Sequence, residues 1–347
     1  MSEFQPPLRL RLDSDALVSN WRWLDRQSGA AACGAAIKAN GYGLGAAGVM
    51  QRLAQAGCRD FFVASWAEAQ ALMPIADGLS LSVLHGVREE DMPVALGSRA
   101  RPVLASPGQI ARWRAAGGGT CDVMVDTGIN RLGLDWRGDV PGLIAGLRVE
   151  TLMSHLACGD EDHPLNTQQA GRFAALAGRT GARRMSLSNS AGICLGQDYA
   201  FDLTRPGLAL YGGVPRAQAR GAIRQVVFPE AQVLQRRCVA AGDTVGYNAT
   251  FTAPADMEAA ILNLGYADGY LRGFSGTGAA LAGDTLLPVL GRVSMDLLIV
   301  DVSARPEVRE GDWLGIAYAP EDAAARSGLS QYELLTGLGQ RYERRWT

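Results

Sequence analysis

Short apolar runs alternate with segments of helical spacing through residues 9–223, and no other feature of the sequence constrains the fold as strongly. The runs predict eight strands: Ala32–Ile37, Asp60–Ala64, Leu79–Leu84, Pro102–Ala105, Cys121–Val125, Val149–Ser154, Arg184–Leu187 and Gly207–Leu210. Between them, apolar residues recur every three or four positions, as they do in helices packed on a sheet. Eight strands in βα alternation predict an α/β TIM barrel, although periodicity alone leaves a doubly wound open sheet as an alternative.

The pattern changes near Gln225. From Val226 onward the apolar runs are short, often alternate with polar residues and are separated by turn sequences such as AAGD and REGD. Such a pattern is typical of a mostly β domain. We therefore predict an N-terminal barrel over residues 9–223 and a mostly β C-terminal domain over residues 224–347, with residues 1–8 as a candidate addition to the second. A helical pattern over Ser330–Arg341 follows a polar N-cap candidate.

Composition and charge exclude several classes of protein. The 33 basic and 35 acidic residues nearly balance, and no basic stripe or polybasic segment indicates binding to nucleic acid or to an anionic membrane. Neither a signal peptide nor a run of about 18 apolar residues, long enough to span a bilayer, is visible. Three histidines lack metal-ligand spacing and six cysteines include no CxxC pair. We therefore expect a cytoplasmic protein without a metal or a disulfide framework.

Lys38 ends the first predicted strand and lies in the string AIKANGYGLG. The glycine-rich residues Asn40–Gly45 of this string follow it. A lysine at the carboxyl end of an interior strand is poorly solvated, and burial disfavours its charged form. The neutral amine is then a nucleophile of the kind that a Schiff base requires. This segment alone leaves open a second interpretation, in which the ammonium group simply reaches solvent.

Other polar residues take equivalent places in the predicted barrel. Arg131 follows the fifth strand, His155 the sixth and Ser190 the seventh, while Arg205 immediately precedes the eighth. Active sites of TIM barrels lie at the carboxyl ends of the strands. These residues are therefore predicted to converge with Lys38 on one site.

Six strings stand out along the chain: AIKANGYGLG around Lys38, DTGINRLG at Asp126–Gly133, SNSAG at Ser188–Gly192, TRPGLALYG at Thr204–Gly212, LGYADGY at Leu264–Tyr270 and GRVSMD at Gly291–Asp296. In this order they resemble the alanine racemase family, and the resemblance covers nearly the whole chain from about Leu8. It implies a pyridoxal 5'-phosphate (PLP) cofactor attached to Lys38. It also implies an isomerase that interconverts L-alanine and D-alanine.

The resemblance further implies which residues bind the cofactor phosphate. These are the hydroxyl groups of Tyr42 and Ser190 and the backbone N–H groups of Gly207 and Leu208. They belong to loops of the kind in which TIM barrels bind phosphate. Taken alone, SNSAG also fits a helix N-cap, which Ser188 or Ser190 could provide.

Two further residues would contact the cofactor ring. Arg205 resembles an arginine that faces the pyridine nitrogen. Since a guanidinium group offers only donors and stays protonated, it would keep that nitrogen unprotonated and favour return of a proton to Cα over transamination. His155 matches a ring-packing histidine of the family. A structural arginine in the turn before Pro206 and a satisfied core histidine are the alternatives.

Racemisation removes a proton from one face of Cα and supplies one to the other, which two bases achieve without either crossing the cofactor plane. The resemblance assigns Lys38 to one face and Tyr266 to the other. It assigns Arg131 and the backbone N–H of Met295 to the substrate, and a structural role to Asp296. It also implies a homodimer whose active sites each combine two chains.

Three positions depart from the family's pattern. Many members carry a carbamate-modified lysine two residues before the Asp of DTG, paired with the arginine at the place of Arg131, but this chain has Met124 there. Ser186 stands where many members have a histidine near the arginine at Arg205. Gln340 stands where some members have a phosphate-binding tyrosine. Arg131 must therefore be held otherwise, by Asn130, an anion or water.

Three other functions remain open alternatives. A racemase of the same fold could act on serine or on a broader set of amino acids. A fold-related PLP decarboxylase of basic or dicarboxylic amino acids is disfavoured by LGYADGY. A non-catalytic PLP carrier resembles the barrel alone, and is disfavoured by the second domain with Tyr266 and Met295.

Overall fold

The computed structural model describes residues 4–347, and these form two compact units. The first, which we call the barrel unit, consists of Leu17–Leu210 and Val214–Arg224. The second, the β-rich unit, contains the described N-terminal residues through Ala16, together with Tyr211–Gly213 and Gln225–Thr347. No helix in the described part of the chain has the length and apolarity that crossing a membrane requires.

The secondary structure alternates short strands and helices in the first two thirds of the chain and is mostly β thereafter. The strands are β1 (Leu8–Leu12), β2 (Ala32–Cys33), β3 (Ala35–Ala36), β4 (Asp60–Val63), β5 (Ser80–Val83), β6 (Arg101–Leu104), β7 (Cys121–Asp126), β8 (Leu134–Asp135), β9 (Val149–Met153), β10 (Arg184–Ser186), β11 (Leu203–Thr204), β12 (Val227–Val239), β13 (Thr244–Val245), β14 (Phe251–Thr252), β15 (Met257–Leu262), β16 (Ala279–Ala282), β17 (Thr285–Pro288), β18 (Leu298–Asp301), β19 (Trp313–Ile316) and β20 (Glu343–Trp346).

The helices are α1 (Ser14–Gln27), α2 (Lys38–Tyr42, a left-handed turn), α3 (Ala46–Ala56), α4 (Trp66–Gln70), α5 (Met92–Leu96), α6 (Pro107–Ala115), α7 (Val140–Ile144), α8 (Pro164–Ala174), α9 (Ser190–Ile193), α10 (Pro320–Ser327) and α11 (Gln331–Thr336). Short 3-10 helices occur at Gln197–Tyr199, Leu208–Tyr211, Ala217–Ala219, Tyr247–Ala249, Tyr266–Asp268 and Arg272–Phe274.

Parallel strands form the closed barrel of the barrel unit. Hydrogen-bonded neighbours run in the order β3–β4–β5–β6–β7–β9–β10, and β2 pairs in parallel with β11. Backbone hydrogen bonds complete the ring next to β10, from Asp202 N to Met185 O at 3.0 Å and from Arg205 N to Ser188 O at 2.8 Å. The TIM-barrel prediction is therefore confirmed, and the open-sheet alternative is wrong.

Gly34 divides the predicted first strand into β2 and β3. Its N–H donates to the Thr204 carbonyl at 2.9 Å. A Cβ atom at this position would lie 2.8 Å from the carbonyl oxygen of Asp60, closer than real Cβ contacts. Glycine is therefore what allows the first strand to lie between its two neighbours.

The eighth strand is shifted from its predicted position at Gly207–Leu210. The observed strand is β11, Leu203–Thr204, and Leu208–Tyr211 is a 3-10 helix. Pro206 has no N–H to donate to a ladder. The N–H groups of Gly207 and Ala209 donate to the Ser190 hydroxyl instead of to a neighbouring strand. Arg205 consequently follows the eighth strand, at its carboxyl end, rather than preceding it.

The β-rich unit is organised by one sheet that includes both ends of the described chain. Its strands follow the order β17–β16–β19–β12–β1–β20, with β15 paired to β12 and β18 to β15. In β1, the leucines of LRLRL are buried and the arginines are more exposed, as the two-residue period of a half-buried strand requires. β1 pairs antiparallel with β12, where Leu8 lies opposite Ala231. This pairing is why residues 9–16 belong to the β-rich unit, whereas the predicted boundary placed them in the barrel.

The C-terminal helix is shorter than the pattern over Ser330–Arg341 suggested. It is α11, which begins with a capping box: Ser330 Oγ accepts from Glu333 N at 3.2 Å, and the Glu333 carboxylate accepts from Ser330 N at 2.9 Å. It ends before Gly337, and the chain then enters β20. The capping box satisfies N–H groups that a helix start leaves free.

Candidate active site

Lys38 lies at the carboxyl end of the first barrel strand, immediately after Ile37. Burial is the main cause that lowers its pKa, and the positive charge of Arg131 lowers it further, while Glu68 opposes them. Deprotonation to the nucleophilic amine is therefore easier than for a solvated lysine.

Lys38 is also the one lysine in the sequence, so that the 33 basic residues comprise this lysine and 32 arginines. The sequence alone contains this signal, but the motifs and strand ends that predict the site do not depend on it. It has two consequences for PLP chemistry. The cofactor has a single side-chain amine to which it can attach, and no second lysine exists that could become a carbamate beside Arg131.

A left-handed turn follows Lys38. Ala39, Asn40, Gly41 and Tyr42 have φ angles of 52°, 53°, 64° and 53°. L-residues with a Cβ atom rarely adopt this conformation, and rarely in succession. The turn redirects the chain between Lys38 and Tyr42, and the sequence did not predict it.

A cradle of hydroxyl and backbone groups lies at the ends of the seventh and eighth strands. Ser190 Oγ accepts hydrogen bonds from Gly207 N at 3.0 Å and from Ala209 N at 3.2 Å. A Cβ atom at Gly207 would overlap the Tyr42 hydroxyl group, so glycine lets that hydroxyl lie against the Gly207 backbone. Asn189, not either serine, caps α9, because its Oδ1 accepts from Gly192 N at 2.9 Å. The N-cap alternative for Ser188 and Ser190 is therefore wrong.

The donors of this cradle suit a phosphate group. Ser190 and Tyr42 provide hydroxyl groups, and Leu208 provides a backbone N–H group next to that of Gly207, which donates to Ser190 Oγ. The residues present therefore fit the phosphate of PLP, with Lys38 as the only lysine available to its aldehyde.

Arg205 is buried and held on the barrel wall. Its guanidinium donates to the Ser186 hydroxyl, to the Ser154 carbonyl at 2.6 Å and to the Leu187 carbonyl at 3.5 Å. Burial lowers its pKa to about 10, so it is still a cation near neutral pH. Ser186 in turn donates to the Leu203 carbonyl. Ser186, which stands where many family members have a histidine, thus holds Arg205 by a direct hydrogen bond.

His155 follows the sixth strand and is partly buried. Burial, followed by the positive charges of Arg205 and Arg131, lowers the pKa of His155 to about 3. The imidazole is therefore neutral at physiological pH. Lys38, Arg131, His155 and Arg205 each lie just after a barrel strand, at its carboxyl end, which is the end at which the sequence predicted a site.

Asp126 organises the loop that carries Arg131. Its carboxylate accepts from the N–H groups of Gly128 at 2.8 Å, Asn130 at 3.1 Å and Arg131 at 2.7 Å. Arg131 is exposed, and no hydrogen bond or ion pair joins its guanidinium to a carboxylate within residues 4–347. Met124, which stands where many family members have the carbamate-forming lysine, is buried in β7.

Tyr266 and Met295 lie in the β-rich unit on two loops that are hydrogen-bonded to each other. Tyr266 N donates to the Ser294 carbonyl and Ala267 N to the Met295 carbonyl, both at 3.0 Å. A Cβ atom at Gly265 would collide with the Met295 carbonyl, so the loops can approach this closely only with glycine there. The structure therefore brings these two predicted residues together.

Arg341 connects the same two loops, and the sequence did not predict this role. Its guanidinium donates to both carboxylate oxygens of Asp268, at 2.6 and 2.8 Å, and to Asp296 Oδ1 at 2.7 Å. Asp268 follows Tyr266 by two residues and Asp296 follows Met295. Asp296 thus has the structural role that was predicted for it, while the adjacent Gln340 is exposed.

Comparison with known proteins agrees with this geometry. Residues 12–215 match the family model "Alanine racemase, N-terminal domain", and residues 226–346 match "Alanine racemase, C-terminal domain". The chain is 44% identical to an alanine racemase of Cereibacter sphaeroides over 346 residues, covering 97% of each chain. It is 43% identical to that of Rhodospirillum rubrum, covering 97% of this chain and 95% of the relative.

Solved structures give the same result. A crystal structure of alanine racemase from Bartonella henselae, with covalently bound pyridoxal phosphate, superposes with a TM-score of 0.90 at 34% identity, covering 99% of this chain and all of that one. The biosynthetic alanine racemase of Pseudomonas aeruginosa gives 0.89 at 32% identity, with the same coverage. The chain therefore belongs to the alanine racemase family and is a PLP-dependent isomerase.

Proposed function

We propose that the enzyme interconverts L-alanine and D-alanine with Lys38 and Tyr266 as the two acid–base groups, one for each face of Cα. The observation that carries this proposal is the single lysine of the chain, with a lowered pKa, beside a cradle suited to a phosphate. A base that removes a proton must also be able to return it: an amine holds the proton as an ammonium group, and a phenolate holds it as a phenol hydroxyl.

PLP, when bound, supplies an electron sink for the negative charge that develops at Cα. Lys38 is the residue to which it would attach, and Ser190, Tyr42 and the backbone N–H groups of Gly207 and Leu208 would hold its phosphate. The Ser190 hydroxyl accepts hydrogen bonds from Gly207 N and Ala209 N, and it therefore joins the loop after β10 to the loop after β11. It would thus fix the position of the phosphate relative to the barrel wall.

Arg205 would face the ring nitrogen of the cofactor. Because its guanidinium has only donors and remains a cation near neutral pH, it opposes protonation of that nitrogen. The neutral imidazole of His155 would pack on the ring without adding charge. Both residues thus favour return of the proton to Cα.

Arg131 would bind the substrate carboxylate, with the backbone N–H of Met295 as a second donor. The Asp126 carboxylate fixes the Arg131 backbone, which leaves the guanidinium free of a fixed protein carboxylate and able to meet a substrate. Charge-assisted hydrogen bonds to a carboxylate are among the stronger polar contacts in proteins.

We further propose a homodimer in which Lys38 and Arg205 of one chain act with Tyr266 and Met295 of its partner. Met295 is 53% exposed and its neighbour Leu297 is 39% exposed. A partner chain that covers this surface beside Tyr266 would remove both side chains from water. Twofold symmetry would repeat the arrangement at both sites.

The experiment that tests the proposed function combines substrate and cofactor. Chiral chromatography should show that the holoenzyme converts L-alanine to an equal mixture of enantiomers, and a panel that includes L-serine defines its substrate range. Borohydride reduction should fix one cofactor per chain on the Lys38 peptide. Reducible cofactor that persists in Lys38→Ala would contradict the proposal.

A further inference from the structure

The left-handed turn after Lys38 needs external support. Three of its residues, Ala39, Asn40 and Tyr42, carry a Cβ atom at positive φ. Such conformations persist where surrounding groups determine them, and they cluster at functional sites. The residue that directly follows Lys38, Ala39, must therefore be held by a group outside the turn.

Glu68 holds this residue. Its Oε1 accepts the N–H of Ala39 at 2.7 Å, and its Oε2 accepts the N–H of Ala64 at 2.7 Å. Ala64 directly follows β4, and Glu68 lies in the first turn of α4. One carboxylate therefore connects the end of the second barrel strand to the turn after the first.

The position of Glu68 within α4 is itself fixed. Ser65 is the N-cap of α4, and its Oγ accepts the N–H of Glu68 at 3.4 Å. From within the turn, Asn40 Oδ1 accepts the N–H of Ala46, the first residue of α3, at 3.0 Å. The left-handed turn is thus tied to both α4 and α3, and the bond to Glu68 is the one at the residue adjacent to Lys38.

The charge of Glu68 also acts on Lys38. It favours the ammonium form, against the effects of burial and of Arg131. Removing the carboxylate would therefore alter both the position of the Lys38 backbone and the electrostatic environment of its amine.

We propose that Glu68 is a positioning residue for Lys38: its carboxylate holds the left-handed turn that aims the Lys38 amine. This inference rests on the proposed role of Lys38 as the base for one face of Cα. A carboxamide has one acceptor oxygen for the two N–H groups of Ala39 and Ala64, so Glu68→Gln must leave one of them unpaired.

The test uses Glu68→Gln and, as a matched control, Glu333→Gln. Glu333 also accepts a backbone N–H at the start of a helix, in α11. On the apoenzyme, Glu68→Gln should weaken PLP binding by about tenfold, the effect of losing a hydrogen bond to a charged group. On the holoenzyme, the primary deuterium isotope effect should rise with one enantiomer of α-deuterated alanine only, the one whose proton faces Lys38.

A merely structural role gives a different result. If Glu68→Gln lowers thermal stability as Glu333→Gln does, with unchanged PLP binding and isotope effects, the inference is overturned. If Lys38→Ala, measured in parallel, keeps reducible cofactor, the proposed function fails instead. Should Glu68→Gln not fold, Glu68→Asp permits the same measurement, because it keeps the charge but draws the carboxylate back by one methylene from the N–H groups of Ala39 and Ala64. A symmetric isotope effect in that variant also overturns the inference.

Discussion

Arg341 donates to both carboxylate oxygens of Asp268, at 2.6 and 2.8 Å, and thereby holds the turn that carries Tyr266. The Asp268 side chain is fully buried, whereas that of Arg341 is 48% exposed. A third hydrogen bond, to Asp296, reaches the loop of Met295. One guanidinium therefore sets the spacing of two predicted site residues.

Arg341→Met should impair both activity and stability. It leaves the buried Asp268 carboxylate without its cation, at a cost of about 2 kcal/mol after allowance for solvent around Arg341. Misplacement of Tyr266 should lower kcat/KM by roughly tenfold or more. Arg345→Met is the matched control, because Arg345 and Glu343 form a partly exposed pair of little energetic value. Full activity in Arg341→Met would show that the loops keep their geometry without it.

Activity should not depend on dissolved carbon dioxide. Met124 occupies the position of the carbamate-forming lysine, and the chain has no lysine except Lys38. Racemisation rates in carbon dioxide-depleted and bicarbonate-supplemented buffer should therefore agree. Met124→Lys supplies the positive control, in which intact-mass measurement without acid should detect a carboxylated lysine. A loss of wild-type activity on depletion would refute the expectation.

His155 should make the apoenzyme less stable as the pH falls. Its pKa is about 3 in the folded chain and about 6.5 in an unfolded one, so the unfolded state binds more protons between these values. The stabilising contribution is complete above about pH 6.5 and is lost as the pH falls toward 3. His155→Gln should reduce the slope of unfolding free energy against pH by up to about 1.4 kcal/mol per pH unit. Denaturant unfolding measures this slope between about pH 4 and 6.5, where the folded and unfolded states bind different numbers of protons. An identical slope in the variant would contradict the lowered pKa of His155.

Two inactive variants should complement each other if the active sites are shared between chains. Lys38→Ala and Tyr266→Ala are mixed under conditions that exchange subunits. In a mixed dimer, both lesions would fall in one site and leave the other intact, so activity should approach half the wild-type value per mixed dimer. Demonstrated exchange without recovered activity would place Lys38 and Tyr266 of one chain in the same site.

The barrel could be predicted because hydrophobic periodicity reports burial directly. The eighth strand could not, since β11 has only two residues and Pro206 follows closely. The placement of Leu8–Leu12 in the β-rich unit depends on pairing with β12, which is distant in sequence. Local patterns contain no information about such a partner.

The site residues also divide into those that local sequence patterns predict and those that depend on partners distant in sequence. Lys38, Arg131, His155, Ser190 and Arg205 could be placed together from motifs and strand ends. Glu68 and Arg341 could not, because neither lies in a recognisable string, and each acts through a partner that only the fold brings near. The Lys38 turn was also missed, since Ala39 and Asn40 do not by themselves indicate left-handed backbone.

The most direct test of the two-base account is the exchange of the alanine α-proton that the Tyr266→Phe variant catalyses. In deuterium oxide, the wild-type holoenzyme should exchange and invert both enantiomers of alanine. Tyr266→Phe should exchange the α-proton of one enantiomer with retention of configuration, because Lys38 still serves its own face, and should leave the other unlabelled. Nuclear magnetic resonance and chiral chromatography measure both outcomes. Exchange with inversion of both enantiomers at the wild-type rate would contradict the assignment of Tyr266 as the second base.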